Sequence, residues 1–291
     1  MIPAQFEYVA PKTLEDALRL VERHGDEAKI LAGGHSLLPL MKLRLAQPRY
    51  VIDISRLHNM NYIREENGHI AIGALTTHAE IESSTLLRAK CPLLPETAAV
   101  IGDVQVRNRG TLGGSLAHAD PAADYPAAAL ALDMEIIAAS TAGTRTIPVR
   151  EFFLDMLTTA LRPGEILSQV RVAPRAPRTG TAYEKLHQPA SGFAIVGVAV
   201  KLMLGSGGTV DDVAVGITGL GPKAFRATAV EKALRGKKAA EKLFEDAAHD
   251  AAQGIEPLSD LHASAEYRRE MAVVHTRRAL KRAFARAQGR A

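Results

Sequence analysis

Apolar residues recur with a helical period near the start of the chain. The first predicted helix places Leu and Val side chains on one face, between an N-cap at Thr13 and a stop at Gly25. Thr77 and Glu80 have the spacing of a capping box, which predicts another helix at about 78–83. The first segment is amphipathic, so it is expected to bury one face against the rest of the protein.

Short runs of aliphatic residues alternate with these helices and predict strands. The predicted strands lie at residues 29–32, 50–54, 69–73, 134–138 and 144–149. Two more helices are predicted, at about 92–101, where Pro92 suits a helix start, and at about 126–132. The first half of the chain is therefore expected to mix short helices with short strands.

Residues 172–180 interrupt this pattern, because two prolines, two arginines and a glycine oppose both a helix and a central strand. We place a domain boundary there, at 176/177. The segment beyond it predicts a three-stranded antiparallel meander followed by about 65 helical residues rich in Ala, Lys and Glu. The three strands are predicted at 181–187, 193–204 and 209–218.

Composition limits the possible classes of protein. The 291 residues are 47% hydrophobic, which is enough for two domains with cores of their own. No run approaches the ~20 apolar residues of a membrane helix, and the first residues do not have the pattern of a secretion signal. Cys91 is the only cysteine, which excludes an internal disulfide and a cysteine-held iron–sulfur cluster in this chain. A cytoplasmic location is predicted.

The net charge of +4 is small, but cations are concentrated at the C-terminus. The last fifteen residues contain no acid and six cations: Arg277, Arg278, Lys281, Arg282, Arg286 and Arg290. The favoured interpretation is a solvated helix face, with docking of the helix at 265–290 on a partner subunit as the second. Nucleic-acid binding is not expected, because the chain has no Trp and no recognisable nucleic-acid-binding module.

Two glycine-rich segments carry the strongest chemical signal. They are Ala32, Gly33, Gly34, His35 and Ser36 in the first, and Thr111, Leu112, Gly113, Gly114 and Ser115 in the second. Adjacent glycines let the backbone approach a ligand closely, and a nest of amides with a hydroxyl beside it attracts anions. Two such loops are suited to the two phosphates of a dinucleotide. Neither loop is a Rossmann fingerprint or a P-loop, so a different mode of binding is predicted.

The order of these segments resembles a known family. The two loops, the residues between 101 and 126, and Tyr183-Glu184-Lys185-Leu186 are similar to the FAD-binding medium subunit of the carbon monoxide dehydrogenase and xanthine dehydrogenase family of molybdenum hydroxylases. The resemblance extends over nearly the whole chain and is strongest to the carbon monoxide dehydrogenase type.

The resemblance implies an α+β fold. Its two-lobed N-terminal FAD-binding domain, of the vanillyl-alcohol-oxidase-like (PCMH) type, would cover residues 1–176, with lobes at about 1–56 and 57–176. A C-terminal domain would cover 177–291, as a three-stranded antiparallel sheet plus a helix bundle.

The resemblance also implies a set of cofactor-binding residues. Both loops, residues 32–36 and 111–115, would meet the pyrophosphate of a noncovalent FAD, although Thr111 and Ser115 also suit simple turn capping. The five other positions that match are Ile101, Asp124, Leu167, Lys185 and Phe193.

Each of these five positions has a second interpretation or a departure from the family. Asp124 is expected to bond flavin or ribityl groups, but it also suits a helix cap. Lys185 is expected near the polar edge of the flavin, but it also suits an exposed strand position. Ile101 and Leu167 also suit the core. Phe193 stands where close relatives carry Tyr or Trp.

The function implied by the resemblance is electron transfer. The chain would pass electrons from iron–sulfur clusters through FAD to an external acceptor, while molybdopterin and [2Fe-2S] clusters would belong to a large and a small partner subunit in a dimer of heterotrimers. The substrate would be carbon monoxide, an aromatic heterocycle or an aldehyde. No metal ligand set and no substrate-binding catalytic residue is predicted on this chain.

Two alternatives stay open at this point. Gly33-Gly34-His35-Ser36 is also similar to loops of stand-alone flavin oxidases in which a histidine bonds the flavin covalently. The chain would then be an oxidase of its own substrate. A non-catalytic dinucleotide-binding module is the other alternative.

Overall fold

Fourteen strands and eleven helices are formed by residues 2–290, which the computed structural model describes. The strands are β1 Glu7–Val9, β2 Ala28–Leu31, β3 Tyr50–Asp53, β4 Ile63–Glu66, β5 His69–Gly73, β6 Glu135–Ser140, β7 Gly143–Pro148, β8 Phe153–Asp155, β9 Thr158–Thr159, β10 Ile166–Val172, β11 Thr179–His187, β12 Ala194–Leu204, β13 Val210–Thr218 and β14 Phe225–Arg226. The helices are α1 Leu14–His24, α2 Leu37–Lys42, α3 His78–Ser83, α4 Thr85–Lys90, α5 Leu93–Ala98, α6 Val104–Arg107, α7 Leu112–His118, α8 Tyr125–Ala131, α9 Thr228–Leu234, α10 Glu241–Ala248 and α11 Ala265–Ala287.

The predicted helix caps explain where the early helices begin. The Thr13 hydroxyl accepts from the Asp16 amide at the start of α1, and the helix ends at Gly25. Thr77 and Glu80 form both bonds of the capping box at the start of α3. Bonds of this kind join a side chain to the backbone of its own helix, so the local sequence is enough to predict them. The predicted N-caps at Thr13 and Thr77 are both confirmed.

The first two sheets are formed by different parts of the N-terminal half. Residues 7–53 contribute a parallel three-stranded sheet in the order β1-β3-β2. Residues 63–172 contribute a five-stranded antiparallel sheet in the order β4-β5-β10-β6-β7. Its central strand, β10, was not predicted. β10 is the last of these five strands in sequence, but it lies between β5 and β6 in the sheet. No local sequence signal predicts that pairing.

The C-terminal sheet, β11-β12-β13-β14, is covered on both faces. Tyr183 and Ala199, which pair across β11 and β12, belong to the apolar core of the N-terminal half. Val198 and Val200 point to the other face and belong to a second core that includes α9, α10 and α11. Burial on both faces explains why residues 194–204 are almost continuously apolar.

This sheet differs in two respects from the prediction. It has a fourth strand, β14, whose two residues pair with Gly216 and Ile217 and are too few to give a periodic signal. The C-terminal helices also do not pack only on one another, because α11 lies along β11 and β12 while α9 contacts β13. The sheet, rather than a helix bundle, is therefore the centre of the C-terminal part.

Glycines in the C-terminal sheet allow helices to approach it from both halves. A Cβ at Gly180 would overlap the carbonyl oxygen of Ala283 in α11. A Cβ at Gly216 would overlap the carbonyl oxygen of Ala127 in α8. Close backbone approach of this kind requires glycine. The N-terminal helix α8 and the C-terminal helix α11 are thus both seated directly on the same sheet.

No helix formed by residues 2–290 is long and apolar enough to cross a membrane. The cytoplasmic location stays a prediction.

Candidate functional site

The two glycine-rich loops lie side by side in the folded chain. Gly33 is so close to the second loop that a Cβ there would overlap the Arg109 carbonyl oxygen and lie 2.8 Å from the Gly110 Cα. A Cβ at Gly114 would lie 3.9 Å from the Ala32 Cβ. Segments about 80 residues apart in sequence therefore form one continuous backbone surface, as the dinucleotide interpretation requires.

The first loop presents a row of free backbone donors. Among the described residues, no protein acceptor takes a hydrogen bond from the amides of Gly33, Gly34, His35 or Ser36. Gly34 has φ +83°, a conformation that L side chains rarely adopt, and it turns the chain into α2. The His35 side chain is exposed. Consecutive amides without a protein acceptor suit the oxygen atoms of a pyrophosphate.

The second loop uses its glycine amides within the protein. Gly113 N–H donates to the Ala74 carbonyl at 2.9 Å, and Gly114 N–H donates to the Thr111 hydroxyl at 3.1 Å. Thr111 is thus the N-cap of α7, the capping role that its sequence allowed. The Ser115 hydroxyl makes no hydrogen bond within residues 2–290. The donors that this loop can offer a ligand are therefore the Thr111 amide and the Ser115 hydroxyl, rather than the glycine amides.

A buried histidine supports the second loop from behind. The His78 amide donates to the Gly110 carbonyl at 3.0 Å, and its ring packs edge-on against Tyr125, with 5.2 Å between ring centroids. A Cβ at Gly110 would lie 2.5 Å from His78 Nε2. Burial, with a smaller contribution from His35, lowers the pKa of His78 to about 4. The imidazole is therefore neutral at neutral pH, and it supports the loop by packing.

Asp124 and Lys185 form a buried ion pair. The Lys185 Nζ lies 2.8 Å from Asp124 Oδ2. The Lys185 side chain is 5% exposed and the Asp124 side chain is 4% exposed. Lys185 also donates to the Val100 carbonyl at 2.8 Å, and the Tyr183 hydroxyl donates to Asp124 Oδ1 at 2.6 Å. Burial raises the pKa of the Asp124 carboxyl, and the Lys185 ammonium opposes that shift. An ammonium has three N–H donors, so one remains for a ligand.

This geometry excludes the helix-cap interpretation of Asp124 and the exposed-strand interpretation of Lys185. The Asp124 side chain makes no capping bond to α8, and the Lys185 side chain is not a solvated surface group. Sequence reasoning missed Tyr183, whose hydroxyl orients the carboxylate. Its i, i+2 spacing from Lys185 on β11 was the available signal, since such residues share one face of a strand.

The remaining predicted residues lie on three different elements. Phe193 is 46% exposed, at the end of a loop that contacts Gly102. Ile101 packs on the edge of the N-terminal core. Leu167 is a buried member of that core on β10. The fold brings Phe193 towards Asp124, because the Ala194 amide donates to the Ala122 carbonyl at 3.1 Å.

Residues 2–290 contain no cluster of three or more His, Cys, Asp or Glu side chains that could hold a metal ion.

Each half of the chain matches a family model of known proteins. The model of the FAD binding domain in molybdopterin dehydrogenase matches residues 4–175, and that of the CO dehydrogenase flavoprotein C-terminal domain matches residues 181–283. The carbon monoxide dehydrogenase medium chain of Hydrogenophaga pseudoflava is 42% identical, over 98% of this chain and 99% of its own length. The chain belongs to the carbon monoxide dehydrogenase type of FAD-binding medium subunit.

Further relatives agree with this assignment. The glyceraldehyde dehydrogenase medium chain of Sulfolobus acidocaldarius is 38% identical, over 97% of this chain and 99% of its own. The solved structure of carbon monoxide dehydrogenase from Hydrogenophaga pseudoflava superposes with a TM-score of 0.95 at 44% identity, covering 98% of this chain and 99% of that one. The predicted family and α+β fold are confirmed. This medium subunit is part of an oxidoreductase complex, and its cofactor is FAD.

The medium subunit uses part of its basic C-terminal helix internally. Glu96 on α5 accepts from Arg282 at 2.8 Å and from the Tyr183 amide at 3.1 Å, and it also pairs with Arg286. Lys281 pairs with Glu241 and Glu245. The predicted solvated face is therefore only partly right: these three side chains are 34–44% exposed, and acids from distant segments also pair with them.

Replacing Glu96 with Ala is expected to lower the free energy of unfolding of the medium subunit by about 1–2 kcal/mol, because three donors lose one shared acceptor. Denaturant titration measures this loss, which should shrink at high salt since the arginines are partly exposed. Glu241→Ala is the matched control: it removes an exposed acid that pairs with the same helix, α11, and should cause no measurable change. Equal losses in both variants would contradict the role of Glu96 in joining α5 to β11 and α11.

Proposed function

We propose that this medium subunit is the flavoprotein electron-transfer chain of a molybdenum hydroxylase. Electrons from the [2Fe-2S] clusters of a small partner subunit would reach its FAD and leave to an external acceptor. Substrate would be oxidised at the molybdopterin centre of a large partner subunit. The observation that carries the proposal is the combination of a free amide row at 33–36 with a buried cation at Lys185 that keeps one N–H donor.

The donor set suits FAD. The amides of residues 33–36, the Thr111 amide and the Ser115 hydroxyl would hold the pyrophosphate. Asp124 and Lys185 would face the flavin end, where the remaining N–H of Lys185 can donate to an acceptor atom of the ring. FAD supplies redox chemistry that exchanges electrons one or two at a time, and the protein orients it and tunes its potential. A buried ammonium beside the ring stabilises negative charge there.

Three finer assignments belong to the same proposal. The substrate is carbon monoxide, an aromatic heterocycle or an aldehyde, and the names of the relatives include carbon monoxide and glyceraldehyde dehydrogenases. The complex is a dimer of heterotrimers, that is, a heterohexamer. The chain divides into an FAD-binding domain at 1–176 and a C-terminal domain at 177–291. Two apolar cores support this division, although the first core also includes Tyr183, Ala199 and Ala224.

The FAD is expected to be noncovalent. Protein purified with its co-purifying subunits should be yellow, and acid precipitation should release all of the flavin into the supernatant. Flavin fluorescence that stays with the protein band after denaturation would instead favour a covalent bond to His35 and the oxidase alternative. A colourless protein after reconstitution with FAD would favour the non-catalytic module.

The same preparation tests whether electrons reach the flavin only through the partner subunits. Carbon monoxide, an aldehyde and a heterocycle are each added anaerobically to the complex. The compound that is its substrate should bleach the flavin absorbance. The isolated medium subunit reconstituted with FAD should stay unbleached with every one of them. Bleaching of the isolated chain would contradict the proposed role.

A further inference from the structure

The loop that ends at Asp124 is held in place by the C-terminal sheet. The Thr218 hydroxyl, which is buried at the end of β13, lies 2.7 Å from the carbonyl oxygens of both Pro121 and Ala123. The next residue, Gly219, donates its amide to the Pro121 carbonyl, also at 2.7 Å. Thr218 is 95 positions from Ala123 in the sequence, so the backbone that carries Asp124 is fixed by a contact that only the folded chain provides.

The strand register places Thr218 on the same face of this sheet as Lys185. Gly197 on β12 pairs with Lys185 on β11 and with Thr218 on β13. Residues that lie directly opposite each other on antiparallel strands point to the same face. The hydroxyl that holds the loop and the ammonium that pairs with Asp124 therefore face the N-terminal half together, with a glycine between them.

Gly197 leaves the space that this cluster needs. A Cβ at Gly197 would overlap the Tyr183 hydroxyl and would lie 2.8 Å from Thr218 Cγ2. The Tyr183 hydroxyl is the group that donates to Asp124 Oδ1. A glycine inside a strand commonly marks a close approach of this kind. Thr218, Tyr183 and Lys185 therefore hold Asp124 and its loop from one face of the sheet.

A buried arginine of α11 fixes the strand ends that bond the loop. Arg268 Nη1 donates to the carbonyls of Ile195 and Gly219, each at 2.7 Å, and the side chain is 5% exposed. Ile195 follows Ala194, whose amide donates to the Ala122 carbonyl. Both strands that bond the loop are thus tied to one guanidinium group, so the Thr218 hydroxyl is presented from a fixed position.

We propose that Thr218 is a positioning residue of the flavin site. Its hydroxyl holds the backbone before Asp124 so that the carboxylate meets the Lys185 ammonium and leaves one N–H of that ammonium for the ligand. Because Thr218 has no exposed surface, it acts through Asp124 rather than by touching the cofactor. This inference rests on the proposed function, in which Lys185 lies beside the flavin.

Removal of the Thr218 hydroxyl tests this role in the complex stripped of flavin and titrated with FAD. Thr218→Val nearly keeps the shape of the side chain but takes a donor from the Ala123 carbonyl, so we expect the Kd for FAD to rise at least ~5-fold. Thr218→Ala, which lacks the hydroxyl in a smaller side chain, should show a similar rise. Thr218→Ser keeps the hydroxyl and should bind FAD as wild type does.

The same sheet offers a matched control. The Thr181 hydroxyl on β11 is also buried, but it makes no hydrogen bond within residues 2–290. Thr181→Val is therefore expected to leave the Kd for FAD unchanged. The midpoint potential of the bound flavin, measured at saturating FAD, should fall in Thr218→Val, because an ammonium that is held less well stabilises negative charge on the ring less. It should keep its wild-type value in Thr218→Ser and Thr181→Val.

A combined variant separates positioning from a general packing role. Thr218→Val is added to the double substitution Asp124→Asn, Lys185→Met, which removes the pair through which Thr218 is proposed to act. In that background, Thr218→Val should change the Kd for FAD by less than ~2-fold, because residues that act as one unit are not additive.

Three outcomes would overturn the assignment of Thr218. They are a wild-type Kd and potential in Thr218→Val, an equal rise in Kd with and without the Asp124–Lys185 pair, and a rise in Thr181→Val as large as that in Thr218→Val. Failure of the proposed function is distinguishable from these. The wild-type complex would then bind no FAD, or the Asp124→Asn, Lys185→Met variant would match wild type in both Kd and potential.

Discussion

Replacing Lys185 with Met is expected to lower the free energy of unfolding of the medium subunit by about 3–5 kcal/mol, because it leaves the Asp124 carboxylate buried without a counter-charge. Asp124→Asn is expected to cost a similar amount, since it leaves the ammonium unpaired. Denaturant titration of each variant against wild type measures both losses. This is a large fraction of the stability of an ordinary domain, so thermal unfolding should also shift downwards.

The double variant Asp124→Asn, Lys185→Met separates pairing from function. It removes both charges, and the introduced asparagine keeps an acceptor for the Tyr183 hydroxyl, so most of the stability should return, to within about 1–2 kcal/mol of wild type. FAD should nevertheless bind more weakly to the double variant, because it lacks the cation that we propose lies beside the flavin ring. A double variant that is as unstable as the singles would contradict the ion-pair account. A stable double variant with wild-type FAD affinity and flavin potential would contradict the proposed electrostatic role.

Replacing Gly33 with Ala is expected to separate the two glycine loops. The added Cβ would overlap the Arg109 carbonyl, and because this obstacle is backbone, one loop must move. Overpacking of this kind costs about 1–3 kcal/mol, which corresponds to a rise of ~5–150-fold in the Kd for FAD if the cost falls on the bound state. Fluorescence titration of the flavin-free complex measures that Kd.

Gly207→Ala is the control for Gly33→Ala. A Cβ at Gly207 meets nothing within 4 Å, so its FAD affinity and stability should be those of wild type. Wild-type FAD affinity in Gly33→Ala would show that contact between the loops is not required for binding. The interpretation of both loops as one pyrophosphate surface would then be wrong.

Local chemistry allowed much of the fold to be predicted. Thr13 and the Thr77–Glu80 pair bond their own helix ends, so their positions in the sequence are enough to place α1 and α3. The break before β11 and the strong apolar run of β12 were predicted for similar reasons. The central position of β10 was not predicted, because its pairing with β5 and β6 depends on the assembly of the whole sheet.

The site divides in the same way. The sequence by itself determined that two Gly-Gly segments with following hydroxyls exist and that their order matches a family of FAD-binding subunits. Only the tertiary structure decided which donors are free, because Ala74 and Thr111 take the Gly113 and Gly114 amides while no acceptor among the described residues reaches the amides of 33–36. It also decided that Lys185 is buried against Asp124, a contact across 61 residues. The physical reason is that pairing and desolvation depend on neighbours in space, whereas caps and turns depend on neighbours in the chain.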